Sequence, residues 1–263
     1  MPELIQLKRH GDFAWLILNR PEKRNALSPD LVTELIQQLD EIENDRNIKA
    51  LLITGAGNAF CAGADLAYLK QLSRFSDEEN LEDSRRLEQL FKKLYTFPKL
   101  TLAAINGPAL GGGCGLALCC DFVFAASETA MFGFTEVRIG FVPALILNVL
   151  IRKIPQHHLS SLILSGRILS APEAEAAGMV QRIIDSEKEL EKAAEEFIIT
   201  LLEKNSFTAM MQTKSLYQKL MDESFQKGME ISAQVNADSR KTSDCQKGLT
   251  AFLNKKKMNW REM

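Results

Sequence analysis

The sequence is poor in the side chains that announce metal or hydrolytic chemistry. Only 3 histidines occur among 263 residues. They are His10, predicted in a turn, and the pair His157 and His158, opening a helix. None stands at metal-ligand spacing from a cysteine or carboxylate, and no His-Glu-x-x-His motif occurs. The Gly-x-Ser-x-Gly elbow of serine hydrolases is missing as well. No Gly-Lys-Ser/Thr follows a glycine loop, which excludes a Walker-type nucleotide site. The 5 cysteines are odd in number and carry no disulfide spacing, and they read as reduced thiols. Net charge is small, with 32 basic against 34 acidic side chains giving −2. Such a chain has no bulk positive field to collect nucleic acid, and any RNA role would rest on a local patch. The first residues, MPELIQLKRHGDFAW, lack the apolar stretch of a secretory signal, and a cytoplasmic location is expected.

One long uncharged run is present, residues 100–120 (LTLAAINGPALGGGCGLALCC). Its length meets the test for a membrane span. Asn106, Pro108 and five glycines inside it argue against one, because a lipid-exposed backbone there would go unsatisfied. A buried strand, a glycine loop and a buried helix account for the run better. Length favours one large domain, or one domain with an appendage, and a composition 46% hydrophobic and 25% charged is that of an ordinary globular chain.

Strand-like segments at 3–8 and 12–18 flank Gly11, as in a hairpin. Ser28 is placed to cap a helix that has Pro29 at its first position and buries Leu31, Leu35, Leu39 and Ile42. Further apolar runs at 48–53, 101–105 and 121–126 alternate with helical segments, the pattern of an α/β core built from βαβ units. Beyond residue 186 only helical patterning remains. The chain is therefore divided into a core over 1–200 and a helical region over 201–263.

Two glycine loops follow buried strands. In GPALGGGCGLALCC, three consecutive glycines open a short apolar helix, whose first N–H groups are free and whose dipole is positive there. Such a site suits a developing oxyanion, with close helix–strand packing as the alternative reading. The second loop is GAGNAFCAGADL at 55–66. Dinucleotide spacing fails in both, at Leu116 and at Phe60. Two such loops without nucleotide chemistry predict a paired backbone site, one N–H from each converging on one oxygen. Glu136 lies among Met131, Phe132, Phe134, Val137, Ile139 and Phe141, and apolar surroundings raise a carboxyl pKa. Its alternative is a surface ion pair with Arg138. Cys114, at a helix start, reads as a packing residue, and the lysines at 255–257 as a solvated face.

RPEKRNALS, AFCAGADL, NGPALGGGCGLALCCDFVFAA, FGFTEVRIGFVP, LSGRILSAPEAEAAGMV and GLTAFLNKKK occur in this order. Together they resemble the crotonase superfamily of enoyl-CoA hydratases and isomerases over essentially the whole chain. The resemblance implies an α/β fold, a crotonase-like spiral of ββα units with a C-terminal helical trimerisation region. It implies an acyl-CoA thioester substrate, no separate cofactor, no metal, and a homotrimer or a hexamer as a dimer of trimers. The thioester carbonyl would be held by the N–H groups of Ala64 and Gly112, with Glu136 as acid/base. Lys23, Arg24, Ala62, Asp65, Leu66 and Gly111 would lie along the substrate or its CoA moiety, and Phe252 near the adenine end. Typical hydratases of the family carry a second glutamate two residues after the last glycine of the triplet, where this chain has Gly115. A lone carboxylate matches the delta-3,delta-2-enoyl-CoA isomerases. The local sequence instead looks most like bacterial methylglutaconyl-CoA hydratase-like proteins, which also have glycine there. Hydration of a 2-enoyl-CoA is therefore the leading expectation, isomerisation the second, and a non-catalytic CoA-thioester or RNA-binding relative the third. Arg138, two residues past Glu136, would project to the same side in an extended segment and orient a carboxylated acyl chain, with a structural or subunit-interface ion pair as the equal alternative.

Overall fold

The computed structural model describes residues 3–262. Strands β1 (Ile5–His10) and β2 (Phe13–Leu18) form an antiparallel hairpin around Gly11, so His10 closes a strand rather than sitting in the turn. Helix α1 (Pro29–Asn44) begins as the sequence predicts, with Ser28 Oγ accepting from the Leu31 N–H. Its Leu31, Leu35, Leu39 and Ile42 are all buried. Strand β3 (Ala50–Gly55) is buried along its whole length, as befits a central strand. Helices α2 (Leu66–Leu72) and α3 (Asp77–Tyr95) follow, α3 opening with a capping box between Ser76 and Glu79.

The uncharged run becomes β4 (Leu100–Ile105), the short β5 (Pro108–Leu110) and α4 (Gly112–Cys119), all inside the globule as the breakers in it required. Strand β6 (Phe122–Ala126) comes next, then β7 (Met131–Gly133) and a 3₁₀ turn over Glu136–Ile139. Helices α5 (Ala144–Lys153) and α6 (Gln156–Ser165) lead to β8 (Ile168–Ser170), α7 (Ala171–Ala176) and β9 (Arg182–Ile184). The main sheet runs β1-β2-β3-β4-β6-β9, parallel from β2 onward. A second sheet, β5-β7-β8, stands apart from it. The core, drawn from strands and helices alike, is almost entirely aliphatic and aromatic, with Phe60, Phe97, Phe124, Phe132 and Phe134 fully enclosed.

The remainder is helical: α8 (Glu187–Lys204), α9 (Phe207–Leu220), α10 (Phe225–Ser239) and α11 (Ser243–Leu253). Two compact units meet between Ala194 and Glu195, within α8. The second unit holds its helices with capping residues, among them Ser206, whose hydroxyl both caps α9 and donates to Asp244 at 2.5 Å. Among the described residues no helix is long and apolar enough to cross a membrane.

Candidate active site

Three loops meet beside the second sheet, and their backbones are joined by hydrogen bonds. The loop after β2 turns through Arg24 and Asn25, both at positive φ (50° and 55°). Asparagine tolerates that conformation because its short side chain bonds locally. Here the buried Asn25 amide donates to Ala56 O at 3.0 Å and Ala59 O at 2.8 Å, while its oxygen accepts from the Arg20 N–H. Arg24 O accepts the Ala62 N–H at 2.9 Å, tying this loop to the one after β3. Lys23 and Arg24 themselves point to solvent.

In the second loop, Leu27 pairs with Ala64 as an isolated parallel bridge. Leu27 N–H donates to Gly63 O at 2.7 Å and Asp65 N–H to Leu27 O at 3.1 Å. In a parallel bridge the paired residue directs its own amide the other way. The Ala64 N–H accordingly has no acceptor among the described residues. Asp65 caps α2 by accepting from the Ala67 and Tyr68 N–H groups and is joined to Arg20 at 3.2 Å. Partial burial pushes its carboxyl pKa up, but the hydrogen bonds from Arg20, Tyr68 and Ala67 together outweigh this and hold it below its ordinary value. Leu66, immediately after, is 72% exposed.

The third loop is the glycine triplet. Cys61 and Ala109 bridge the two loops, with Cys61 N–H to Pro108 O at 3.1 Å and Leu110 N–H to Cys61 O at 3.0 Å. The contact is too close for side chains: a Cβ on Gly113 would stand 2.2 Å from Cys61 O, and one on Gly63 would stand 2.7 Å from Leu110 O. Gly111 has φ +51° and donates to Gly133 O at 2.8 Å. Gly112 begins α4, and its N–H, like that of Ala64, has no acceptor among the described residues. Leu27 Cδ1 lies 3.1 Å, and Phe91 Cζ 3.8 Å, from where a Gly112 Cβ would be. Leu27 thus pairs with Ala64 and packs on Gly112, which places the two unoccupied amides in one locality.

Glu136 completes the group. Its Oε1 lies 3.0 Å from the place of a Gly111 Cβ, so the absence of a side chain at 111 makes room for the carboxylate. Its Oε2 is buried without a hydrogen-bond partner. Burial is the largest influence on this group and raises its pKa, against a smaller opposing hydrogen bond within the residue itself. The apolar company differs from that expected, since Met131, Val137, Ile139 and Phe141 are exposed and only Phe132 and Phe134 are buried. Nor is the segment extended. In the 3₁₀ turn, residues two apart point to different sides. Arg138 lies against Gly166 instead, whose Cβ would meet Arg138 Cγ at 3.1 Å and Nε at 3.2 Å. No ion pair between Glu136 and Arg138 occurs among the described residues.

Cys114 is fully buried, and burial pushes its thiol pKa up, in keeping with packing rather than nucleophilic use. Phe252 lies on α11 of the second unit with its side chain 81% exposed. Arg20, Leu27 and Phe91 also contribute to this candidate site, and sequence reasoning missed them because each acts through a contact distant in the chain. Two unoccupied N–H groups beside a carboxyl that resists ionisation can stabilise an oxygen anion while the carboxyl takes and returns a proton.

Comparison with known proteins shows the family. The family described as enoyl-CoA hydratase/isomerase matches residues 9–263. A Thermus thermophilus protein provisionally named an enoyl-CoA hydratase is 43% identical over 256 residues, 96% of this chain and 98% of that protein. The 2,3-dehydroadipyl-CoA hydratase of Escherichia coli is 35% identical over 97% of each chain. A crystal structure of an enoyl-CoA hydratase from Shewanella pealeana superposes with a TM-score of 0.91 at 30% identity, covering 98% of this chain and 96% of that one. With its two-sheet core, C-terminal helices and carboxylate-bearing glycine site, the chain belongs to the enoyl-CoA hydratase/isomerase family, the crotonase superfamily.

Proposed function

We propose that the protein is an enoyl-CoA hydratase that adds water across the 2,3 double bond of a 2-enoyl-CoA thioester. The observation that carries this reading is the half-buried Glu136 carboxylate beside Gly111, its Oε2 enclosed without a hydrogen-bond partner, in the locality of the unoccupied N–H groups of Gly112 and Ala64. The two amides would hold the thioester oxygen. Glu136 would take a proton from water as the water oxygen bonds to Cβ and the double-bond electron pair moves toward the thioester oxygen, giving an enolate. The protonated Glu136 would then return that proton to Cα, regenerating the carbonyl and the carboxylate. A raised pKa suits both halves, since the carboxylate is a stronger base and its acid is stable enough to wait for the enolate. The exposed loop residues Lys23 and Arg24 and the capped Asp65–Leu66 turn would lie along the CoA moiety, and coenzyme A enters only as part of the substrate.

The crotonyl-CoA hydratase of Syntrophomonas wolfei, 33% identical, is named for an uncharged acyl chain, and the Escherichia coli relative for a carboxylated one. On the sequence likeness at 105–121 and 132–143 we place 3-methylglutaconyl-CoA among the substrates. Arg138, turned toward Gly166, gives that finer reading no support of its own. Exposed Phe225, Phe252 and Leu253 on the C-terminal helices favour a trimer or a dimer of trimers, and light scattering should return a mass of three or six times 29.4 kDa. Following the conjugated-thioester absorbance tests the reaction. Crotonyl-CoA should lose absorbance. Loss with crotonyl-CoA but not with 3-methylglutaconyl-CoA removes the finer substrate, and a gain with 3-hexenoyl-CoA alone makes the protein an isomerase.

A further inference from the structure

Gly115 lies one turn along α4 from Gly111, and the space that its missing side chain would take is filled. A Cβ on Gly115 would stand 2.6 Å from Ile146 Cγ1, 2.9 Å from its Cδ1 and 3.2 Å from its Cβ. These include the branched base of the side chain, so no rotation of a flexible tip relieves all three. Ile146 sits in the first turn of α5, is 3% exposed, and belongs to the hydrophobic core. Gly115 N–H donates to Gly111 O at 2.9 Å, so the two glycines are one turn of α4 apart. The Glu136 carboxylate occupies the Cβ side of Gly111, and Ile146 occupies the Cβ side of Gly115. A carboxylate and a hydrocarbon wall therefore stand against glycines four residues apart, about 6 Å along the helix axis.

We infer that Ile146 is a positioning residue of this enzyme: it fills the direction in which any side chain at 115 would project, and so leaves the proton transfers to Glu136. The inference rests on the reading of Glu136 as the acid/base. Ile146 puts hydrocarbon where a side chain at 115 would project, while the Glu136 carboxylate lies against Gly111 one turn away. Gly115 and Ile146 are a complementary pair, the absent side chain of one matching the full volume of the other.

The test is a double-substitution cycle read by thermal unfolding and by steady-state kinetics. Alanine is favoured over glycine inside a helix, so Gly115→Ala would raise the melting temperature were the space open. The expected result is a lower melting temperature and a lower kcat. In the Ile146→Ala background the same change should cost nothing further, because the collision is gone. Ile146→Ala by itself should lower kcat about tenfold, as loss of a positioning contact near the chemistry does, with KM changed less than about twofold. Ile146→Val should recover most of the loss. A Gly115→Ala protein at or above the wild-type melting temperature overturns the inference. So does an Ile146→Ala protein that melts lower yet keeps its kcat, since Ile146 would then be packing alone. Failure of the hydratase reading appears in the wild type, as isomerisation of 3-hexenoyl-CoA without hydration of crotonyl-CoA. The same variants are then read on the isomerisation rate, so the two failures remain distinct.

Discussion

Glu136 is held at a cost that its surroundings make visible. An acid whose folded pKa is raised stabilises the fold only while protonated, and that contribution is lost as pH rises through the folded pKa. At neutral pH the ionised group is therefore destabilising. Glu136→Gln should melt higher than the wild type at pH 7, with the difference shrinking as the pH is lowered toward the ordinary carboxylate range. Equal melting temperatures at both pH values would show that the carboxylate is not desolvated. The acid limb of the wild-type kcat/KM profile should lie above the ordinary range for the same reason. Gly111 is tied to this group, because alanine there meets both φ +51° and the Glu136 oxygen at 3.0 Å. Gly111→Ala should lower kcat by about a hundredfold, the order expected for displacing a catalytic group by an ångström, while circular dichroism stays unchanged. Glu136 stands out as a candidate acid/base from its motif alone. Which neighbours bury it was not legible, since four of the six apolar residues around it in sequence face outward.

Among the elements, α2 is the one most dependent on a single residue. It has seven residues and none of them is buried, so Asp65 at its N-cap and the Arg20 pairing carry much of its order. Asp65→Ala should cost about 1 kcal/mol, typical of a lost N-cap. Proteolytic nicking should then concentrate at 65–75, and wild-type cutting rates there would contradict the assignment. Tyr68, which donates to Asp83 at 2.6 Å, ties the same helix to α3; burial, then that hydrogen bond, push its pKa up to about 12. The longer elements could be read from the sequence because each buries a periodic stripe or a continuous run, as α1, β3 and β4 do. Strands β7, β8 and β9 have three residues each, too few to show any period. The turn at Glu136 was misjudged as extended because its shape depends on Gly140 closing it at φ +75°. That conformation has no signature among the side chains before it.

At the scale of the molecule, the fold works by bringing together three loops that leave the C-terminal ends of the adjacent strands β2, β3 and β4, beside the smaller sheet. Asn25 is central to that assembly, buried at positive φ and bonded to two carbonyls of the next loop. Asn25→Ala leaves those carbonyls short of donors and should lower stability by about 1–3 kcal/mol, with guanidinium unfolding as the readout. The glycine triplet and the second glycine loop stand out in the sequence from their positions after buried strands. Their meeting was not legible, because it runs through Cys61–Ala109 and Leu27–Ala64 pairings between distant segments. The apolar filling at Gly115 was equally hidden, as Ile146 lies 31 positions away in the chain on another helix.

The central claim is that one glutamate suffices for hydration in this site. The most direct measurement is the rate of absorbance loss with crotonyl-CoA for the wild type and for Glu136→Gln, alongside the Kd of each for a saturated acyl-CoA. Turnover that falls by about a thousandfold or more in the variant, with Kd unchanged, is the predicted result. A variant that still hydrates at the wild-type rate would contradict the account, and so would a wild type that leaves crotonyl-CoA unchanged.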